Sequence, residues 1–169
     1  MIGKHLGGIK MAEVNMKHAK KVYATLIKTM DAQKLNYDKL EEDLSIRSGF
    51  NTEDLPVEFL ITVDAQRELV RFLSRLPFNM SDDKKIEGAI ATCVANKSII
   101  DGTFDYDVST GEVLFRLSTS FKGEADITKE IIEYIMLVSV ATIDRYNDLY
   151  FMLSKGNITL SEFIAKVNA

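Results

Sequence analysis

The chain has 169 residues, 46% hydrophobic and 27% charged, with a net charge of −4 and one cysteine. This is enough apolar material for one core; it excludes an intrachain disulfide, suits a reducing cytoplasmic compartment, and argues against nucleic acid as the main partner. The longest apolar run, Ile131 to Ile143, is interrupted by Glu133 and is too short for a membrane span, and no apolar leader opens the chain, so no signal peptide is expected.

Charge is uneven. Residues 1–34 carry seven lysines against Glu13 and Asp31, while residues 35–66 carry eight acids against Lys39 and Arg47. Either the two segments lie near each other or each faces solvent; the alternative is a basic helix docking on an acidic partner or membrane. Residues 1–10, with Gly3, Gly7 and Gly8, predict a flexible arm ahead of a single domain over residues 11–169. The glycines make no phosphate-binding pattern.

Met11 to about Leu35 reads as a helix, with Met11, Val14, Val22, Leu26 and Met30 along one stripe and Tyr23 and Ile27 beside it. His18 falls at the stripe's edge. Its only possible histidine partner is His5 in the arm, so it reads as half-buried or solvated and not as a metal ligand. Asp43 to Asn51 alternates as a strand, and Val57 to Val63 does so more plainly, with Val57, Phe59, Ile61 and Val63 on one face. Asp64-Ala65-Gln66 is a turn. Arg67 to Leu76 fits either a helix or a strand; as a strand it puts Val70, Phe72 and Leu76 on one face and Arg71 and Arg75 on the other.

Ser81 is placed to cap a helix whose first turn holds Asp82 and Asp83. Its buried side is expected at Ile86, Ala89, Ile90, Cys93 and Val94, which makes Cys93 a small core residue and not a nucleophile. Asn96-Lys97-Ser98 ends it. Residues 99–118 form the clearest element, a β-hairpin. Phe104, Tyr106 and Val108 share one face, as do Val113, Phe115 and Leu117 after the turn. Gly111 suits the positive-φ position of a short loop, and Arg116 can pair with Asp105 or Asp107. A long helix, capped by Asp126, is expected from Ile127 to about Leu153. It is apolar over much of its circumference, so it needs a partner on more than one side, either the N-terminal helix or a second copy of the chain. Gly156 stops it, and Thr159 with Glu162 forms a capping box for a last short helix. The order is helix, three-stranded antiparallel meander, helix, hairpin, long helix and short helix: an α+β fold.

That order, with Leu76-Pro77, Asn96, Gly102-Thr103-Phe104-Asp105, the run from Gly111 to Arg116, Ser139, the run from Thr142 to Tyr146 and Gly156, resembles the YbjN-like proteins and the wider type III secretion chaperone-like fold. The resemblance covers about Leu55 to Phe163 and tips Arg67 to Leu76 towards strand. It implies a small, cytoplasmic, dimeric, non-enzymatic protein. The chaperone relatives hold an extended segment of a secreted partner against sheet and helices, and the YbjN-like branch is described as regulatory, with no catalytic residues to carry over.

No Ser/His/Asp, Cys/His or P-loop arrangement has both the residue types and the context for catalysis, and the paired carboxylates of the hairpin read as solubility and edge protection more readily than as a hydrolytic pair. The D-x-D at Asp105 and Asp107 fails as a calcium loop, because Thr110 and Arg116 stand where glycine and glutamate are required. Two readings follow. In the first, the protein is a homodimeric module holding a segment of an unidentified partner protein, with Ile135, Val138, Thr142 and Tyr146 on the long helix and Arg71, Arg75 and Arg116 as the candidate surface. In the second, the acidic face of the Thr103–Leu117 hairpin, with Asp101, Asp105, Asp107 and Glu112, holds a small molecule or cation.

Overall fold

The computed structural model describes residues 15–51, 55–123 and 125–169. The expected arm at residues 1–10 and the start of the first helix at Met11 lie outside them. The elements are α1 (Met16–Ala32), β1 (Tyr37–Leu40), β2 (Ser45–Phe50), β3 (Val57–Asp64), β4 (Leu69–Asn79), α2 (Lys85–Lys97), β5 (Thr103–Asp107), β6 (Glu112–Ser120), α3 (Lys129–Ser154) and α4 (Leu160–Val167). Short 3-10 turns at Glu41–Asp43 and Asp82–Lys84 link β1 to β2 and lead into α2.

The six strands form one antiparallel sheet in the order β1-β2-β3-β4-β6-β5. The meander thus has four strands, not three. β1 escapes sequence reading because its four residues, Tyr37-Asp38-Lys39-Leu40, bury neither face fully and show too little alternation. Arg67–Leu76 resolves as a strand, β4, after a turn in which the Asp64 carboxylate accepts from the Arg67 amide at 2.9 Å. β4 slips register against β6 between Arg75 and Asn79. Pro77 lies in that interval, and a residue with no amide proton belongs at such an irregularity.

Alternation assigns the faces. Ile46, Phe59, Ile61, Phe72, Phe115 and Leu117 are buried under the helices. Phe104 joins sheet to helices through ring contacts with Phe115 at 5.2 Å, Tyr150 at 5.3 Å and Tyr146 at 5.7 Å. Tyr150 in turn meets Phe163 of α4. No described element covers the other face.

The helix caps differ from expectation in two places. Thr128, not Asp126, caps α3, through the Ile131 amide; Asp126 instead pairs with Lys21 of α1 at 2.6 Å. Ser81 does not cap a helix; its hydroxyl donates to the Ser154 carbonyl at the end of α3. The Thr159–Glu162 capping box of α4 is formed in both directions.

The largest departure is the rotation of α2. Its buried residues are Gly88, Ala91, Thr92 and Ala95, while Ile86 and Ile90 are exposed and Cys93 is at the surface. Close approach explains this: a Cβ on Gly88 would stand 2.7 Å from both Met80 Cγ and the Tyr106 hydroxyl. Only small side chains fit between α2 and the hairpin, so the larger apolar ones point outward.

Candidate binding surfaces

Apolar side chains reach the surface on two helices and on the open face of the sheet. The first of these surfaces is on α3. Helical spacing buries Ile132, Ile135, Met136, Ser139, Ile143 and Tyr146 against the sheet and neighbouring helices, leaving Tyr134 and Leu137 outward, Leu137 at 71% exposure. A groove of about 500 Å³ runs along one side of Leu137, with Leu35, Phe50, Met136 and Val140 in its walls. A second hollow, on the other side, lies between Ile100 and the α3 residues Val138, Ala141 and Thr142. The Tyr134 hydroxyl hydrogen-bonds the Asp101 carboxylate, which ties the loop carrying Ile100 to α3 and raises the phenol's pKa above its usual value. Ile100 is itself 96% exposed.

The second surface is the apolar stripe of α2, Ile86, Ile90 and Cys93, spaced at i, i+4 and i+7 on one helical face.

The third is the open face of the sheet. Cross-strand register places Asp38, Arg47, Leu60, Leu73, Arg116 and Thr103 in one row. Leu114 opposes both Arg75 and Asp105. The leucines make an apolar centre bordered by ion pairs. Arg116 grips Asp105 with two bonds at 2.7 and 3.1 Å, Arg75 meets Glu112 at 2.9 Å, and Arg71 meets Asp64 at 3.2 Å. Asp64 is the best-held acid. Burial alone would raise its pKa, but hydrogen bonds from Arg67 and the charges of Arg71 and Arg67 outweigh that and hold the carboxyl below the usual carboxylate range.

The residues singled out from sequence therefore do not form one surface. Arg71, Arg75 and Arg116 lie on the open sheet face, opposite the helices. Ile135 and Tyr146 are each 2% exposed inside the core, while Val138 and Thr142 border the open hollow beside Ile100, at whose floor Tyr146 also lies. Sequence reasoning missed Tyr134, Leu137, Ile86 and Ile90. The signal for α2 was present as the small residues Gly88, Ala91 and Ala95 at i, i+3 and i+7, which mark a close-packed face.

The acidic hairpin has other partners. Asp105 is taken by Arg116. Asp107 accepts from the Ser109 hydroxyl and amide at 2.6 and 2.8 Å, holding the hairpin loop, and its carboxyl sits below the usual range because of those bonds. Among the described residues no group of three or more His, Cys, Asp or Glu side chains could hold a metal ion, and no helix is long and apolar enough to cross a membrane.

No protein-family model matches the chain, and no curated protein matches it in sequence. Solved structures do match in shape. YbjN of E. coli, provisionally named a transcription regulator, superposes with a TM-score of 0.53 at 13% identity over 79% of this chain and 90% of its own. The HopA1–SchA chaperone–effector complex matches with a TM-score of 0.56 at 10% identity, covering 80% of this chain and 99% of that one. The ExsC–ExsE complex gives 0.56 at 16%, covering 78% and 95%. The fold is the YbjN-like, type III secretion chaperone-like fold. At these identities the likeness is one of architecture.

Proposed function

We propose that this protein is a non-enzymatic, cytoplasmic, homodimeric binding module that holds a segment of a partner protein. The observation that carries the reading is the apolar ridge of α3. Leu137 is largely exposed between two hollows, one walled by Leu35, Phe50, Met136 and Val140. Soluble chains seldom leave such surface uncovered unless something binds there, and a groove beside a helix suits a helical or extended segment carrying apolar anchors. Val138 and Thr142 border the same ridge, and Arg71, Arg75 and Arg116 offer a second, mixed surface on the open sheet. That two of the structural neighbours are two-protein complexes supports the reading by analogy of fold.

Homodimerisation is assigned to α2. Ile86, Ile90 and Cys93 form a single stripe that a two-fold axis would lay against its own copy, leaving α3 free for the partner. The hairpin acids favour no small molecule or cation, since Asp105 and Asp107 are engaged by Arg116 and Ser109.

The test is light scattering coupled to size exclusion, together with binding of a hydrophobic dye such as anilinonaphthalene sulfonate. Wild type is expected as a dye-binding dimer. Ile86→Glu/Ile90→Glu should give a folded monomer, and Leu137→Glu a dimer with reduced dye binding. A wild-type monomer at tens of micromolar that binds no dye would end the proposal.

A further inference from the structure

We propose that the groove between the start of α1, the β1–β2 connection and the β3–β4 turn is the seat of this chain's own residues 1–14. The groove encloses about 940 Å³. Leu40, Leu44, Leu60 and Ala65 provide apolar lining, and Met16 and Lys20 of α1 close one side. Its rim carries three consecutive acids, Glu41, Glu42 and Asp43, all exposed. Among the described residues no lysine or arginine forms an ion pair with any of the three. Asp64, at the back, is different: Arg67 and Arg71 already neutralise it.

Three observations point to one occupant. The first is position. Met16, the first residue of α1, itself lines the groove, which puts the groove beside the point where the described chain begins. Extended chain covers about 3.3–3.6 Å per residue, so a handful of residues crosses a cavity of this size. The second is apolar content: Ile2, Leu6, Ile9 and Met11 recur through the segment and match the leucine lining. The third is charge: Lys4 and Lys10 stand against Glu13 alone in the sequence, and the rim carries carboxylates that no lysine or arginine among the described residues pairs. The opposite charges of residues 1–34 and 35–66 would thereby converge at one place in the fold. Neither α2 nor α3 contributes a residue to this groove.

The experiment uses the full chain with Cys93→Ser and His5→Cys, a nitroxide on residue 5, and amide relaxation read by NMR. Docking predicts relaxation enhancement several-fold larger at Leu44, Ala65 and Gln66 than at the β5–β6 hairpin. The enhancement should weaken at about 1 M salt, where screening acts over roughly 3 Å, and be lost in Glu41→Lys/Glu42→Lys/Asp43→Lys. If that triple variant does not fold, the salt series on the parent carries the test. Enhancement spread evenly, or centred away from the groove, overturns the proposal. So does enhancement of unlabelled chains in a mixed sample, which would make a second copy the occupant.

Discussion

Asn96, near the end of α2, binds Phe104 as a neighbouring strand would. Its side-chain carbonyl accepts from the Phe104 amide at 2.8 Å, and its side-chain amide donates to the Phe104 carbonyl at 2.9 Å. β5 is the sheet's edge, where backbone groups otherwise lie unpaired. One side chain thus satisfies the edge at Phe104 and joins the middle helix to the hairpin. An unpaired backbone group costs about 1–3 kcal/mol; the Phe104 amide would lose its partner outright, while the carbonyl keeps a long bond from the Thr103 hydroxyl at 3.4 Å. Asn96→Ala should therefore lower stability in urea by about 2–4 kcal/mol, and Asn96→Asp, which keeps only the acceptor, should also destabilise. A loss well under about 1 kcal/mol for the alanine variant would show that water replaces the amide.

Two glycines with similar backbone angles should respond differently to alanine. Gly111 has φ +76 and Gly123 has φ +74. A Cβ on Gly111 would stand 2.4 Å from the Met80 carbonyl oxygen, whereas one on Gly123 would meet nothing within 4 Å among the described residues. Gly111 also accepts from the Met80 amide at 2.8 Å, so neither strand can retreat cheaply. Gly123→Ala should cost only the left-handed penalty of about 1–2 kcal/mol. Gly111→Ala should add a further 1–3 kcal/mol or so of overpacking. Equal thermal shifts for the two variants would contradict this account of the hairpin.

Asp64 makes stability depend on acid. Its folded pKa lies below the unfolded value of about 3.9, so its contribution is present in full above that value. It is lost as pH falls through the lower, folded pKa. Asp64→Asn should therefore lower stability at neutral pH, and the gap between the two proteins should close as the pH is taken below about 4. A gap that stays constant into strong acid would assign the loss to packing and not to charge.

Ser139 is fully buried in α3, and its hydroxyl has no partner among the described residues. Removing an unsatisfied buried hydroxyl removes its desolvation cost. Ser139→Ala is expected to be neutral or to raise stability by about 1 kcal/mol, read from the denaturation midpoint. A loss of more than about 1 kcal/mol would mean the hydroxyl has a bonding role.

Cys93 reports on the α2 face. Surface position makes it accessible in one folded chain, whereas a dimer through Ile86 and Ile90 would cover it. Alkylation should be slow at micromolar protein concentration, faster on dilution, and fast throughout in Ile86→Glu/Ile90→Glu. Fast alkylation at every concentration would move any dimer contact off α2.

Much of this architecture can be read from periodicity and end signals. Phe104, Val113, Phe115 and Leu117 alternate into the core as expected, Gly111 takes the positive-φ position, Arg116 finds Asp105, and the Thr159–Glu162 box starts α4. β1 carries no legible period, because two exposed residues, Asp38 and Lys39, sit between the half-buried Tyr37 and Leu40. The rotation of α2 was misread because apolar spacing says which residues share a face but not which face is buried.

The sequence by itself determined where chain direction and hydrogen-bonding mode change, since turns, caps and alternation are local and each residue carries its own conformational cost. It also determined that α3 must meet more than one neighbour, because its apolar residues exceed what one contact can bury. Only the tertiary structure decided which apolar side chains remained outside. Space between α2 and the hairpin admits Gly88 and Ala91 and turns Ile86 and Ile90 to the surface. The sheet and helices take Ile135 and Tyr146 from α3 and leave Leu137. Those choices depend on distances between elements far apart in sequence, which no local pattern encodes.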